Sequence, residues 1–268
     1  MSQRREIEAR LGLFDELSGI LGAMRSFALA ELRRINKREA AQQQVMQALS
    51  AALDDLSEAL PGNAADRIEP DDIWLLFGSS RGFCGSFNED VLHYWRSHGP
   101  TNGRLILIGE RLHGLLASDV KAQRLPGAQG GLDATTTIDS IVAAVETLRD
   151  QDRGELRLIA CIRDEAGARS QQLWPLAVSK RHSAGYAPLT LAPAAKVAAE
   201  AAEHYLYHTL LGLLLRSIRV ENHMRLMQMD TAMRHLERGG EELQRQRNRL
   251  RQEEIVEEIE LMIGGKRS

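Results

Sequence analysis

The chain has 268 residues, 43% of them hydrophobic and 4% aromatic, with a formal net charge of -3. That is enough apolar material for one large domain or two modest ones, but the aromatic content is low for a compact enzyme and usual for helix-rich rods. The charge argues against a nucleic-acid binder, and two cysteines, Cys84 and Cys161, imply no disulfide framework and a reducing compartment.

Residues 3–60 read as one long helix. Leu13, Leu17, Ile20, Met24 and Phe27 form one apolar stripe, and Ile7, Leu11, Phe14, Leu21 and Ala28 form a second beside it. Gly12, Gly19 and Gly22 are interior glycines suited to close helix approach. From Glu31 to Glu39 the run turns charged and reads as an exposed face. The apolar pattern resumes at Val45, Leu49, Leu53 and Leu56, and Pro61-Gly62-Asn63 is a stop signal. The N-terminus leads into this charged helix rather than an apolar signal segment, and the most apolar run, Leu210 to Leu215, is too short to span a bilayer.

Residues 64–193 have a different texture. Ile73-Trp-Leu-Leu-Phe is an apolar strand ending in a glycine-rich turn, Gly78 to Asn88, with a helix from Glu89 to Ser97. Arg104 to Ile108 is a second strand, followed by a short helix from Glu110 to Ser118. Ile138 to Arg149 is a third helix with Ile141, Val142, Val145 and Leu148 on its apolar face, and Leu156 to Ile162 is a third strand. Alternation of strands and helices predicts a small Rossmann-like α/β domain with a largely parallel sheet. Pro175, Pro188 and Pro193 punctuate its exit.

From about Ala194 the chain is helical to its end. Leu226, Met229, Met233, Leu236, Leu243 and Leu250 recur at alternating steps of three and four, with Gly240 and Arg247 in two further seam positions. That spacing is a coiled-coil seam. Gly239-Gly240 is an unfavourable pair in a helix, each costing roughly 1 kcal/mol against alanine. The predicted architecture is α/β plus a long antiparallel coiled coil: an N-terminal shaft helix over 1–63, an inserted α/β domain over 64–193, and a C-terminal shaft helix over 194–268. A helix of about fifty residues spans roughly 75 Å, so part of the rod projects and its exposed apolar residues need an external sleeve.

No clustered chemistry appears. Gly78 to Gly85 lacks both Gly-x-x-x-x-Gly-Lys-Ser/Thr and a clean Gly-x-Gly-x-x-Gly, so a tight strand-to-helix turn explains it better than a phosphate site. Cys84 has no base at nucleophile spacing; His93 and His113 are the only candidates nearby, and a buried structural thiol is the simpler reading. His204 and His208 are one helical turn apart, but beyond Glu200 they lack a third ligand at a matching offset, and His223 lies further on. An enzyme is therefore the weakest class, behind a coiled-coil adaptor and a mechanical subunit. No catalytic residue, metal ligand, cofactor or small-molecule substrate is expected.

Three stretches carry a family resemblance. Ile20-Leu-Gly-Ala-Met-Arg-Ser-Phe-Ala is similar to Ile-Thr-x-Ala-Met-x-Met-Val-Ala, and Ser80-Arg-Gly-Phe-Cys-Gly-Ser-Phe-Asn to Asp-Arg-Gly-Leu-Cys-Gly-Gly-Phe-Asn. The third joins Glu221-x-x-x-Arg225-x-Met227-x-Met229 with Asn248-x-x-Arg251-Gln252-x-x-Ile255-x-x-Glu258-Ile259 and the terminal Gly264-Gly265. In this order they resemble the gamma subunit of F-type ATP synthases. The resemblance implies a non-catalytic rotating central shaft inside an alpha/beta hexamer, with the α/β domain as a foot on the membrane c-ring and an epsilon subunit beside it. It also implies a peripheral position on the cytoplasmic face of the inner membrane. The interface set it implies is Met24, Glu221, Arg225, Met227, Met229, Arg251, Gln252, Ile255 and Glu258, with Arg251 and Gln252 as the catch on a beta-subunit loop. Departures fall at Glu31, where the family has lysine, at Ser80 for aspartate, at Val256 for threonine, at Arg234-His235-Leu236 for Asp-Asn-Ala, and at Ala192 for an acidic foot residue. They suggest a divergent branch such as the alternate or N-type ATPases, thought to pump sodium ions.

Overall fold

The computed structural model describes residues 2–60, 71–100, 104–116, 120–150, 156–176 and 189–264. The stop signal at Pro61, the punctuating Pro188 and the terminal Gly265 lie outside these residues. In chain order the elements are α1 (Ser2–Asp55), β1 (Asp71–Phe77), α2 (Phe87–His98), β2 (Arg104–Ile108), α3 (Glu110–His113), β3 (Gln123–Leu125), α4 (Ala134–Asp150), β4 (Leu156–Asp164), β5 (Gly167–Trp174) and α5 (Ala194–Gly264). They fall into two compact units, one of Ala30–Met224 and one of Met1–Leu29 with Arg225–Ser268.

The larger unit is built on a five-stranded sheet in the order β3-β2-β1-β4-β5. The first four strands are parallel and β5 runs antiparallel to β4. Side chains alternate across β1, so Ile73, Leu75 and Phe77 enter one core and Trp74 and Leu76 the other. The first core takes Ile138, Ile141 and Ala144 of α4, Ile35 of α1, and Leu210, Leu213 and Leu214 of α5. The second takes Val91 and Leu92 of α2 with Leu112 beside them. Burial on both faces is why β1, β2 and β4 read as unbroken apolar runs.

Sequence and structure differ at several points here. Helix α1 ends at Asp55 and passes into turns held by bonds such as Ala59 N–H to the Leu56 carbonyl, 2.9 Å. Helix α3 is a single turn, ending at His113 before Gly114 rather than at Ser118. The short edge strand β3 and the polar edge strand β5 add to the three strands expected.

The expected charged face from Glu31 to Glu39 is exposed at Arg33, Arg34, Lys37 and Arg38 but not at its start. Glu31 and Ile35 are buried, and Gln42 one turn beyond is too. In this stretch α1 lies antiparallel to α5. Gln42 Nε2 donates to the His208 carbonyl at 2.7 Å, and Glu39 faces Arg219 Nε at 2.9 Å. Arg219 also pairs with Glu165, in the β4–β5 turn, at 2.5 Å. One guanidinium thus ties both helices to the hairpin; the Nε–Glu39 contact is an ion pair rather than an aligned hydrogen bond, since Arg219 Nε has no well-directed acceptor.

In the smaller unit the two helices also run antiparallel. Arg4 Nη1 meets Glu254 at 3.0 Å, and Arg25 Nε meets Asp230 at 2.6 Å. Of the two α1 stripes, Ile7, Leu11, Phe14, Leu21 and Ala28 are the more buried, whereas Leu13, Leu17, Ile20 and Phe27 are exposed. On α5 the partly or fully buried positions Leu226, Met229, Met233, Leu236, Gly240, Leu243, Arg247 and Leu250 keep the three-four spacing. The glycine in close contact is Gly239: a Cβ there would lie 2.8 Å from the Phe14 ring, while one at Gly240 meets nothing within 4 Å. The close approach expected of Gly12, Gly19 and Gly22 is absent too, as a Cβ at any of them is equally open.

Candidate functional site

Two regions were candidates, the glycine-rich turn and the shaft surface. In the turn, the small residues follow from packing. A Cβ at Gly78 would lie 2.5 Å from Leu112 Cβ, because α3 crosses directly over the end of β1. Two backbone N–H groups at the start of the turn are already engaged. Ser79 N–H donates to Asn88 Oδ1 at 2.8 Å, and Gly78 N–H to the Ile108 carbonyl at 2.8 Å. Asn88 Nδ2 returns to Ser79 Oγ at 2.8 Å, so Asn88 of α2 and Ser79 close a reciprocal pair that fixes the turn. A phosphate cradle needs free, convergent N–H groups, and these are directed inward. Phe87, Cys84, Val220 and Met224 form a small apolar cluster at the same end of the sheet.

Cys84 Sγ is buried, 3.3 Å from Ser79 Oγ. Burial pushes the Cys161 thiol up to about 12, away from thiolate chemistry. Among the described residues, no group of three or more His, Cys, Asp or Glu is placed to hold a metal ion. His208 Nδ1 lies 3.0 Å from Gln42 Nε2, so its ring nitrogen serves the contact between α1 and α5. Its pKa is lowered, first by burial and then by His204 one turn away.

The shaft surface is where the chain leaves chemistry unfinished. On α1 the exposed apolar stripe is Leu13, Leu17, Ile20 and Phe27. On α5 it is Met227 and, toward the C-terminus, Ile255, Val256, Ile259, Leu261, Met262 and Ile263. Large apolar groups exposed in series need a partner surface.

The nine interface residues divide by burial. Met227, Arg251, Gln252, Ile255 and Glu258 are exposed, and Met24 is half-buried. Glu221, Arg225 and Met229 are buried. These three side chains are 5% exposed or less. Met229 fills the seam, and Glu221 and Arg225 are engaged within the chain. Sequence reading missed Ile20 and Leu17 as surface groups, because period alone does not say which of two adjacent stripes faces outward. No helix among the described residues is long and apolar enough to cross a membrane.

A family model described as ATP synthase matches residues 3–268. Among curated relatives, the ATP synthase gamma chain of Clostridium kluyveri is 25% identical, over 97% of this chain and 95% of that one. The gamma chain of Akkermansia muciniphila is 28% identical over 44% of this chain and 41% of its own length. Among solved structures, a chain of the Euglena gracilis mitochondrial ATP synthase rotor, in rotational state 1, shares the fold with a TM-score of 0.64 at 12% identity, over 95% of this chain and 99% of that one. A chain of the Euglena gracilis OSCP/F1/c-ring assembly in rotational state 3 gives 0.65 at 14% identity, over 99% and 94%. With the terminal helices paired antiparallel within each unit, a five-stranded α/β sheet in the larger one, and the family model matched over residues 3–268, the chain belongs to the ATP synthase family as a gamma-type central-stalk subunit.

Proposed function

We propose that this chain is the rotating shaft of a rotary ATP synthase or ATPase, coupling ion flow through a membrane c-ring to ATP synthesis or hydrolysis in an alpha/beta hexamer. The observation that carries this reading is the series of exposed apolar residues on the paired helices, from Leu13 to Phe27 on α1 and from Ile255 to Ile263 on α5. Such a surface fits inside an apolar sleeve, where non-directional contacts permit turning while hydrogen bonds would lock one orientation. Met227 is exposed with a flexible thioether, suited to repacking against successive neighbours.

Arg251 and Gln252 are exposed together on α5 and are the proposed catch on a beta-subunit loop, with Met24, Ile255 and Glu258 beside the sleeve. An isolated surface ion pair is worth only ~0–1 kcal/mol, so the catch acts through orientation rather than through tight binding. The sheet domain is the proposed foot on the c-ring, with an epsilon subunit against it. The ion, proton or sodium, is selected by the membrane subunits. The departures at Glu31, Ala192, Arg234 and Val256 support a divergent branch of the family. The proposed location is the cytoplasmic face of the inner membrane, peripheral and held through the complex.

Co-expression with the alpha and beta subunits of the same organism tests this. A stable particle whose ATP hydrolysis depends on this chain supports the reading. A chain that elutes alone beside an equally active hexamer refutes it.

A further inference from the structure

The second half of α1 meets the sheet domain at one point where the contact is directional rather than apolar. Glu31 is 4% exposed, and its Oε1 accepts the Gly131 N–H at 2.6 Å. Seven residues further along the same helix face, Arg38 Nη1 donates to the Gly131 carbonyl. Two side chains of one helix thereby hold both polar groups of one residue in a loop a hundred residues away. Ile35 lies between them, fully buried in the main core, with Cγ1 3.6 Å from where a Gly131 Cβ would stand. The gripped loop leads straight into α4, whose Ala134, Ile138 and Ile141 are buried in that core.

Gly130 shows that the arrangement is built around Glu31. A Cβ at Gly130 would lie 2.6 Å from Glu31 Oε1 and 2.9 Å from its Cδ. A flexible carboxylate could ordinarily swing aside, but this one is buried and bonded, so moving it leaves the Gly131 N–H without its acceptor. Arg34 adds charge complementarity at 3.5 Å from Glu31 Oε2. A lysine at position 31, as in the family pattern, has no acceptor to offer Gly131.

Apolar packing alone resists separation of a helix from a sheet but resists sliding and rolling weakly, because it is non-directional. Hydrogen bonds to the two sides of one peptide residue, from positions about 10 Å apart along the helix, oppose both motions. We propose that Glu31 and Arg38 are positioning residues for torque transfer: their two-point grip on Gly131 locks α1 to the sheet domain so that the two turn together. The proposal rests on the rotary-shaft reading.

The experiment uses the complete complex with its co-expressed partner subunits, reconstituted in vesicles. Ions pumped per ATP hydrolysed are compared with hydrolysis by the particle detached from the membrane, where the joint carries no load. Glu31→Lys and Gly130→Ala should leave detached hydrolysis near wild type. They should lower the coupling ratio, read as fewer ions pumped per ATP at unchanged detached hydrolysis. Glu31→Gln retains an acceptor oxygen and should keep most of the coupling, a rescue that a merely bulky or structural role for Glu31 does not give. Should Glu31→Lys and Gly130→Ala fail to assemble, Arg38→Met, changed at the exposed end of the grip, is read alone and should lower coupling in the same direction. A coupling ratio unchanged in assembled variants, or Glu31→Gln as damaging as Glu31→Lys, overturns the joint and leaves the shaft reading standing. A wild-type chain that does not enter the complex refutes the shaft reading instead.

Discussion

Replacing Ile35 by alanine tests most sharply how α1 is anchored. Ile35 has 0% exposure and belongs to the main core with Ile73, Leu75, Ile138 and Leu213. Removing three buried carbons loses their transfer free energy and leaves a cavity that a sheet-backed core fills poorly. Such truncations cost about 2–5 kcal/mol, and full burial from a helix held on both sides by Glu31 and Arg38 places this one near 3 kcal/mol. A domain of about two hundred residues loses about 2–4 °C in Tm per kcal/mol, so the expected shift is about 6–12 °C. The assay is thermal unfolding of the isolated full chain by circular dichroism, with Ile20→Ala as the control. Ile20 is 57% exposed, and its truncation should change stability by no more than about 0.5 kcal/mol. If Ile35→Ala shifts Tm no more than Ile20→Ala does, Ile35 does not anchor α1 in the core and the reasoning is wrong.

Other expectations follow from single contacts. Asp72 binds Arg157 through two 2.6 Å hydrogen bonds that raise the arginine's pKa, so Asp72→Ala should cost about 1–2 kcal/mol by chemical denaturation, reduced because Arg157 is partly solvated. Gly240→Ala should stabilise the shaft by about 1 kcal/mol, whereas Gly239→Ala should not, because its Cβ meets Phe14 at 2.8 Å; equal effects at the two positions would contradict the seam described. His208 has a depressed pKa, so its contribution is full above its unfolded value near 6.5 and declines as pH falls through the folded value. An NMR titration should place His208 below the ordinary histidine value, and His208→Gln should flatten the stability curve below about pH 6.5. Asp164 is pushed up by burial but brought down on balance by Arg169 and the N–H groups of Ala166 and Gly167. Its contribution is therefore present above about pH 4 and lost on further acidification, and Asp164→Asn should remove that acid-limb slope in acid unfolding.

Much of this molecule was legible in the chain. The apolar runs of β1, β2 and β4 declared themselves because a parallel strand covered on both faces has no polar side. Strand β5, Gly-Ala-Arg-Ser-Gln-Gln-Leu-Trp, did not, since an edge strand half in water lacks both the run and a clean alternation. The three-four spacing of α5 gave the seam, yet periodicity could not distinguish Gly239 from Gly240 when both lie near it. The burial of Glu31 was not readable, because its partner is a backbone amide a hundred positions away and leaves no mark on neighbouring residues. The Arg251–Gln252 pair entered only through the family resemblance, and composition alone would have given it no role. The same resemblance put Glu221, Arg225 and Met229 in the interface set, and its motif carries no sign that all three are buried within the chain.

The central claim is that this chain turns. Cys84 and Cys161 are both buried, so a single cysteine introduced by Leu189→Cys, at a fully exposed position, gives one reactive site for a probe. With the alpha/beta hexamer fixed to a surface and the labelled chain assembled in it, the measurement is probe orientation on adding ATP. The account predicts sustained rotation in one direction that ceases when ATP is withdrawn. A probe that stays fixed while the same particles hydrolyse ATP would contradict it.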